Sequence, residues 1–473
     1  MVFCLGLAGL SCSSPTVKAE KGSQPNFIII FMDDLGYGDV NRFVPTPGYQ
    51  TPELDRMVDE GMKFTDFHAA HTVCSPSRAA LLTGRYPQRT TVNGVLFPRS
   101  KKGLPQSEVT IAEVLKENGY RTAMVGKWHL GHLPKYLPTE QGFESYYGIP
   151  YSNDMAQDGS MPLAEDVQFF EQMTEENYLE YQPTAEADIK SLYQKYKDKV
   201  PLLVDKEVIE WPVDQSTITK RYTEKAIEFI TEAQDTPFFL YYAHTMPHTP
   251  LFASESFQGK TERGLYGDVI EEIDWSVGQI MKTLKELNLD EKTLVVFTSD
   301  NGPWLIKGDH GGSAGPLRDG KGSTFEGGQR VPGIFWWPGT IPAGKTTTFN
   351  ATTLDLMPTL ASFAGTEAPQ DREIDGIDIS AVLKGRGTEA TSRDYFVYAG
   401  GKAIRIGDWK YRHDTQFGKW EAKDKKLGKK ENPRVEQLFH LVDDLGEQNN
   451  VIEENPEKAA ELKARLQAFL KEL

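Results

Sequence analysis

Two pairs of oxygen-bearing side chains, Asp33-Asp34 and Asp300-Asn301, each follow directly on an uninterrupted apolar run, NFIIIFM before the first and TLVVFTS before the second. Adjacent carboxylates repel, and a hard divalent cation is the simplest way to offset that repulsion. A carboxylate beside an amide oxygen is the same kind of ligand set. Taken singly, each pair is also an ordinary solvated turn. Together they say more, because the strands that precede them bring both pairs to one rim of a sheet. Four such residues without histidine favour calcium or magnesium over zinc. The third constellation is Cys74-Ser75-Pro76-Ser77-Arg78, followed by AALLTGR. Pro76 fits the first turn of a helix and Gly84 its end. Cys74 then lies at the positive end of that helix with Arg78 one turn on, a place that suits an anion and would stabilise a thiolate.

The elements that must carry these residues are legible as apolar runs rich in β-branched and aromatic residues: Asn26–Met32, 120–125, Phe238–Ala243, 293–298 and 333–337. Runs of this kind suit strands buried on both faces. Helical patterns alternate with them at 107–118, with Ser107 as N-cap, and at 219–233 and 268–287. The alternation predicts an α/β fold with a large, mostly parallel sheet between helices, and ligands beyond the carboxyl ends of its strands. Lys127 and His129 follow the run YRTAMV and so point at the same rim as the carboxylates. The acidic, proline-dotted segment 155–217 breaks the rhythm and is expected to be an insertion over the sheet edge. From about residue 385 short runs separated by turns predict a small antiparallel sheet, closed by a helix over 456–470. The expected organisation is a leader and tether to residue 24, a main domain over 25–384 and a C-terminal α+β unit over 385–473.

The 473 residues, 39% hydrophobic and 25% charged, describe a folded protein with a large core. A net charge of −16 argues against nucleic acid or an anionic membrane surface as a general partner. The one strong basic cluster, 419–430, is by default a solvated loop, with a sulfated polymer as the alternative contact. Three cysteines exclude a disulfide scaffold. Residues 2–10 form an apolar run too short to cross a bilayer but suited to a signal peptide. GLSC, ending at Cys12, resembles a bacterial lipobox. The expectation is export to the periplasm or cell surface, by a plain signal cut near Ser11 or Ser14 or with a lipid anchor at Cys12.

C-S-P-S-R followed by L-L-T-G-R resembles the signature of the type I sulfatases of the alkaline phosphatase superfamily, and the resemblance extends from residue 26 to about 452. Gly126-Lys127-Trp128-His129-Leu130-Gly131 is similar to the family's G-K-W-H-L-G motif, and His248 in FFLYYAHTMPHTP and Lys321 in GPLRDGKGSTFEGG match its later basic residues. GIPYSND, around Ser152, resembles the branch of arylsulfatase A and N-acetylgalactosamine-6-sulfatase. The closing QLFHLVDDLGEQNN is similar to the family's C-terminal motif, with Leu445 where proline is usual.

The resemblance implies an alkaline phosphatase-like fold and hydrolysis of a sulfate ester, on a carbohydrate substrate. It implies conversion of Cys74 to formylglycine by a sulfatase-maturating enzyme. It also implies one calcium ion held by Asp33, Asp34, Asp300, Asn301 and residue 74. Arg78, Lys127 and Lys321 would neutralise sulfate oxygens, Asp300 would take a proton from the nucleophile and His248 would act as acid for the leaving oxygen. His129 would help the second hydroxyl lose its proton, and Ser152 would lie by the sulfate. His310, on the glycine-rich loop GDHGG, is a further candidate for substrate contact, whereas His244 is expected to make a structural hydrogen bond. A phosphatase or phosphodiesterase of the same superfamily, or a non-catalytic binder of sulfated glycans, are the rival functions. The cysteine motif and the oxygen-only ligand set count against the first, and the complete catalytic set against the second.

Overall fold

The structure is a computed structural model that describes residues 24–98, 100–156, 159–180, 195–196, 198–386, 393–413 and 436–473. The leader with Cys12 and the basic run 419–430 lie outside the described residues. Among the described residues no helix is long and apolar enough to cross a membrane.

Eleven strands form one sheet. At its centre Asn26–Met32 pairs in parallel with both Thr293–Ser299 and Phe238–Ala243, and Arg121–Lys127 pairs in parallel with Phe238–Ala243 and Ser145–Ile149. The central strands are buried on both faces, which is why their runs are apolar at every position rather than at alternate ones. Side chains alternate across the sheet. Phe27, Ile29 and Phe31 enter one core cluster, and Ile28, Ile30 and Met32 enter the other. Each of these side chains contributes roughly 1.5–3 kcal/mol by leaving water. The helices Ile218–Glu232 and Leu265–Glu286 lay their apolar stripes on the second cluster.

Several local expectations change. Gly333–Trp336 is a strand, but it runs antiparallel to Thr293–Ser299. The chain between them stays at the rim and carries only short helical turns, so it re-enters the sheet from the end where it left. The helix expected from Ser107 begins at Ile111, capped by Thr110, whose hydroxyl accepts from Glu113 N while the Glu113 carboxylate accepts from Thr110 N. This reciprocal pair outcompetes Ser107. The insertion builds three further strands, Leu163–Phe169, Leu202–Val204 and Glu207–Trp211, which extend the sheet at one edge.

Near the C-terminus, Phe396–Tyr398, Ala403–Ile406, Trp409–Arg412 and Gln437–His440 form a four-stranded antiparallel sheet, and helix Pro456–Glu472 packs on it. This sheet is joined to the large one by buried ion pairs. Lys410 Nζ lies 2.9 Å from Glu326 and 2.8 Å from Glu447, with all three side chains fully buried. Asp66 and Arg405 pair through two bonds of 2.8 and 2.7 Å. Lys410→Met is expected to destabilise the protein by about 3–5 kcal/mol in chemical denaturation, because two buried carboxylates lose their counter-charge.

Candidate active site

The site forms where five neighbouring central strands end. Met32 and Ser299 are register partners, so Asp33 and Asp300 emerge side by side. Lys127 ends the strand Arg121–Lys127, Ser152 follows Ser145–Ile149, and His248 follows Phe238–Ala243. Two backbone features fit these residues to the rim. Asp34 and His129 hold left-handed conformations at φ 67° and 60°, strained for non-glycine residues. Gly126 is at φ 115°, and a Cβ there would lie 1.7 Å from the Ala243 carbonyl oxygen, so only glycine lets these strands close up before Lys127.

The helix Cys74–Thr83 runs beneath this rim with every residue buried. Gly84, at φ 68°, ends it and donates its N–H to Ala80 O at 2.8 Å. Cys74 Sγ lies 3.4 Å from Asp33 Oδ1. One turn on, Arg78 donates from Nε and Nη2 to Asp300 Oδ2 at 3.0 and 2.9 Å, and from Nη1 to Lys127 O at 2.9 Å.

Each buried carboxylate has a buried cation. Lys127 Nζ lies 2.6 Å from Asp33 Oδ2 and 3.3 Å from Ser152 Oγ. Lys321 Nζ reaches Asp34 at 2.7 Å. Asn301 Nδ2 donates to Asp34 Oδ1 at 2.7 Å, and its Oδ1 is buried without a partner. His248 Nε2 is 3.7 Å from Asp34 Oδ2, and Ser152 Oγ is 3.2 Å from His248 Nδ1. The liganding atoms of Asp33, Asp34, Cys74 and His248 all lie within 4.8 Å of one another.

This crowding moves the acidities. Burial and then the charge of Asp33 push Asp300 up to about 7. Burial also raises Asp34, against the charge of Lys321. At Asp33 burial is outweighed by Lys127, His248, Arg78 and Lys321, which hold it well below the usual carboxylate range. Burial, reinforced by the charge of Lys321, lowers His248, and burial with Lys127 and Arg78 lowers His129. The thiolate expected at Cys74 is not what the fold favours. Burial and the charge of Asp300 push the thiol well above its ordinary value, since the helix end that would stabilise an anion lies among carboxylates.

The residues fit a hard cation. Three carboxylates converge, two of them are forced upward by their surroundings, and the amide oxygen of Asn301 is an acceptor with nothing to accept from. A second cluster, Asp66, His68 and Glu326, has metal-like spacing but is already neutralised by Arg405, Arg330 and Lys410.

Of the candidates read from the sequence, Asp33, Asp34, Cys74, Arg78, Lys127, Ser152, His248, Asp300, Asn301 and Lys321 come together. His129 lies beside them, its Nε2 donating to Leu96 O at 2.9 Å and its Nδ1 buried without a partner. His310 does not join the buried group; it is exposed on the turn Leu305–His310. The His244 side chain makes no hydrogen bond among the described residues: both ring nitrogens are buried without a partner there, and the ring packs on Tyr242 at 4.3 Å. Two residues were missed. Asn153 accepts from His248 Nδ1 at 3.0 Å, its amide fixed by donation to Pro250 O at 2.8 Å. Trp304 packs against His248 at 5.2 Å and under Lys321 Nζ at 4.4 Å. Each adjoins a recognised motif, Asn153 after Ser152 and Trp304 three residues after Asn301.

The family model described as Sulfatase matches residues 25–366. The chain belongs to the sulfatase family. It is 39% identical to arylsulfatase A of Bos taurus, an alignment that covers 96% of this chain and 87% of that protein. It is 38% identical to N-acetylgalactosamine-6-sulfatase of Sus scrofa, over 89% of this chain and 81% of that one. Among solved structures it is similar to Ps i-CgsB in complex with k-i-k-neocarrahexaose, with a TM-score of 0.74 and 29% identity over 94% of this chain and 92% of that one. It is also similar to the PsFucS1 sulfatase from Pseudoalteromonas sp., with a TM-score of 0.77 and 27% identity over 96% of this chain and 91% of that one. This sulfatase is a sulfuric ester hydrolase.

Proposed function

We propose that the enzyme removes sulfate from a sulfated carbohydrate, using formylglycine made from Cys74 by a maturating enzyme and one calcium ion held by Asp33, Asp34, Asp300, Asn301 and residue 74. The observation that carries this reading is the meeting of Cys74, three carboxylates and three buried cations at one strand-end rim. Export to the periplasm or cell surface, with or without a lipid at Cys12, belongs to the same proposal and is supported by the apolar leader alone.

When present, the hydrated aldehyde supplies two hydroxyls, one to attack sulfur and one whose loss of a proton releases sulfate, and the calcium ion supplies Lewis acidity. The chain's own residues do the rest. Asp300, adjoining Arg78, accepts the proton of the attacking hydroxyl. Arg78, Lys127 and Lys321 face the sulfate oxygens and stabilise their charge as sulfur is attacked. The negative charge of a bound sulfate ester favours the imidazolium form of His248, which keeps its Nδ1–H on Asn153 Oδ1 and protonates the leaving oxygen from Nε2. His129 donates through Nε2 to Leu96 O, so its bare Nδ1 is the atom able to take the second hydroxyl's proton.

The metal assignment has a direct test. Calcium at about 100 times its Kd is expected to stabilise the protein by about 2.7 kcal/mol, read as a rise in thermal midpoint that a chelator reverses. Asp300→Ala should abolish both that rise and the one equivalent of bound calcium measured by elemental analysis. An unchanged metal content in the variant would overturn the ligand set. For substrate class, N-acetylgalactosamine 6-sulfate is the first probe of a wider panel of sulfated sugars, with sulfate release as the readout.

A further inference from the structure

A cleft of about 510 Å³ lies behind the catalytic histidine, and most of its wall comes from the insertion at 155–217. Phe170, Phe252 and Pro250 supply its apolar surface, and Gln215, Asp198 and Asp214 its polar groups. Phe170 is 44% exposed, a large ring left facing solvent. Glu171 and Lys199 pair with each other, and Asp214 adds a carboxylate to the lining.

Two lining residues bind directly to the residue that holds His248. Pro250 O accepts from Asn153 Nδ2 at 2.8 Å, and Gln215 Nε2 donates to Asn153 O at 3.0 Å. Asn153 in turn engages His248 Nδ1. The cleft is therefore two hydrogen bonds from the proposed acid, reached through the Nδ1 edge of its ring. Gln215 is only 8% exposed, and its Oε1 is buried with no partner among the described residues. A buried acceptor of that kind calls for a donor from outside, such as a hydroxyl.

We propose that this cleft is a subsite for the neutral sugar residues that adjoin the sulfated one. The proposal rests on the carbohydrate reading above. Aromatic and hydrogen-bonding groups lining one cleft suit a sugar ring, whose C–H faces are apolar and whose rim carries hydroxyls. The acidic lining disfavours a second sulfate there, so the preferred neighbours are uncharged.

The test compares N-acetylgalactosamine 6-sulfate with a trisaccharide that carries the same sulfated sugar at its end on two neutral hexoses. The ratio of kcat/KM for trisaccharide over monosaccharide is expected to fall about fivefold in Phe170→Ala, mainly through KM. A second sulfate on the middle sugar should lower kcat/KM, and Asp214→Asn should recover part of that loss. An unchanged ratio in Phe170→Ala, with the second sulfate tolerated, overturns the subsite while leaving the sulfate site intact. Turnover of nitrophenyl sulfate with none of either saccharide overturns the carbohydrate reading and the subsite with it.

Discussion

Cys74→Ala is expected to reduce sulfate ester hydrolysis to background while leaving the fold and the thermal midpoint almost unchanged. The side chain is 2% exposed and its sulfur makes one polar contact, at 3.4 Å to Asp33. Alanine is the best helix former, and the sulfur is a small volume to lose, so the structural cost is about 1 kcal/mol or less. The chemical cost is total, because the proposed nucleophile is made from this side chain and alanine cannot be converted to formylglycine. In protein from the native host, mass spectrometry of the tryptic peptide ending at Arg78 should show loss of the thiol. Fully active protein with an intact thiol would falsify the mechanism.

His248→Ala is expected to separate substrates by their leaving groups. A sugar alcohol leaves poorly without a proton, whereas nitrophenolate hardly needs one. General acid catalysis is worth about 10²–10⁴-fold, which sets the gap between the two losses in kcat. Arg78→Ala should slow both substrates alike, since it removes charge stabilisation that both require. If His248→Ala also slows both alike, the histidine serves only to bind sulfate and the acid is Lys321 or His129.

Part of this site could be read from the chain because three of its chemical residues stand at or immediately after the end of an apolar run. Asp33, Lys127 and Asp300 end strands, and a parallel sheet brings such ends to one rim without further information. Partners chosen by packing were not legible. Nothing local to Asn153 says that its amide faces His248, since the two are joined only when the strands ending at Ile149 and Ala243 flank Arg121–Lys127. The thiolate at Cys74 failed for a related reason: the helix end was visible, but the burial and the carboxylates around it were not. The direction of Gly333–Trp336 depended on the path of a loop, which apolar periodicity does not record. His310 was raised by its neighbours in sequence and is left exposed by the loop's course.

The ion pairs between the two sheets also tie the small sheet to catalysis. Lys321 sits in a stretch whose flanks are gripped from the C-terminal part: Arg318 donates to Glu447 O, Arg412 to Thr324 Oγ1, Tyr398 to Glu326 Oε1, and Glu326 N to Glu447 Oε2. The molecule is thus not modular. A chain cut near residue 385 would shed no catalytic group yet would release the loop that aims one. A change at Tyr398, Arg412 or Glu447 would reach the experimenter as a weakened enzyme, not as a loosened appendage. Grafting this C-terminal piece from a relative would succeed only if the grip on residues 318–326 were carried over with it.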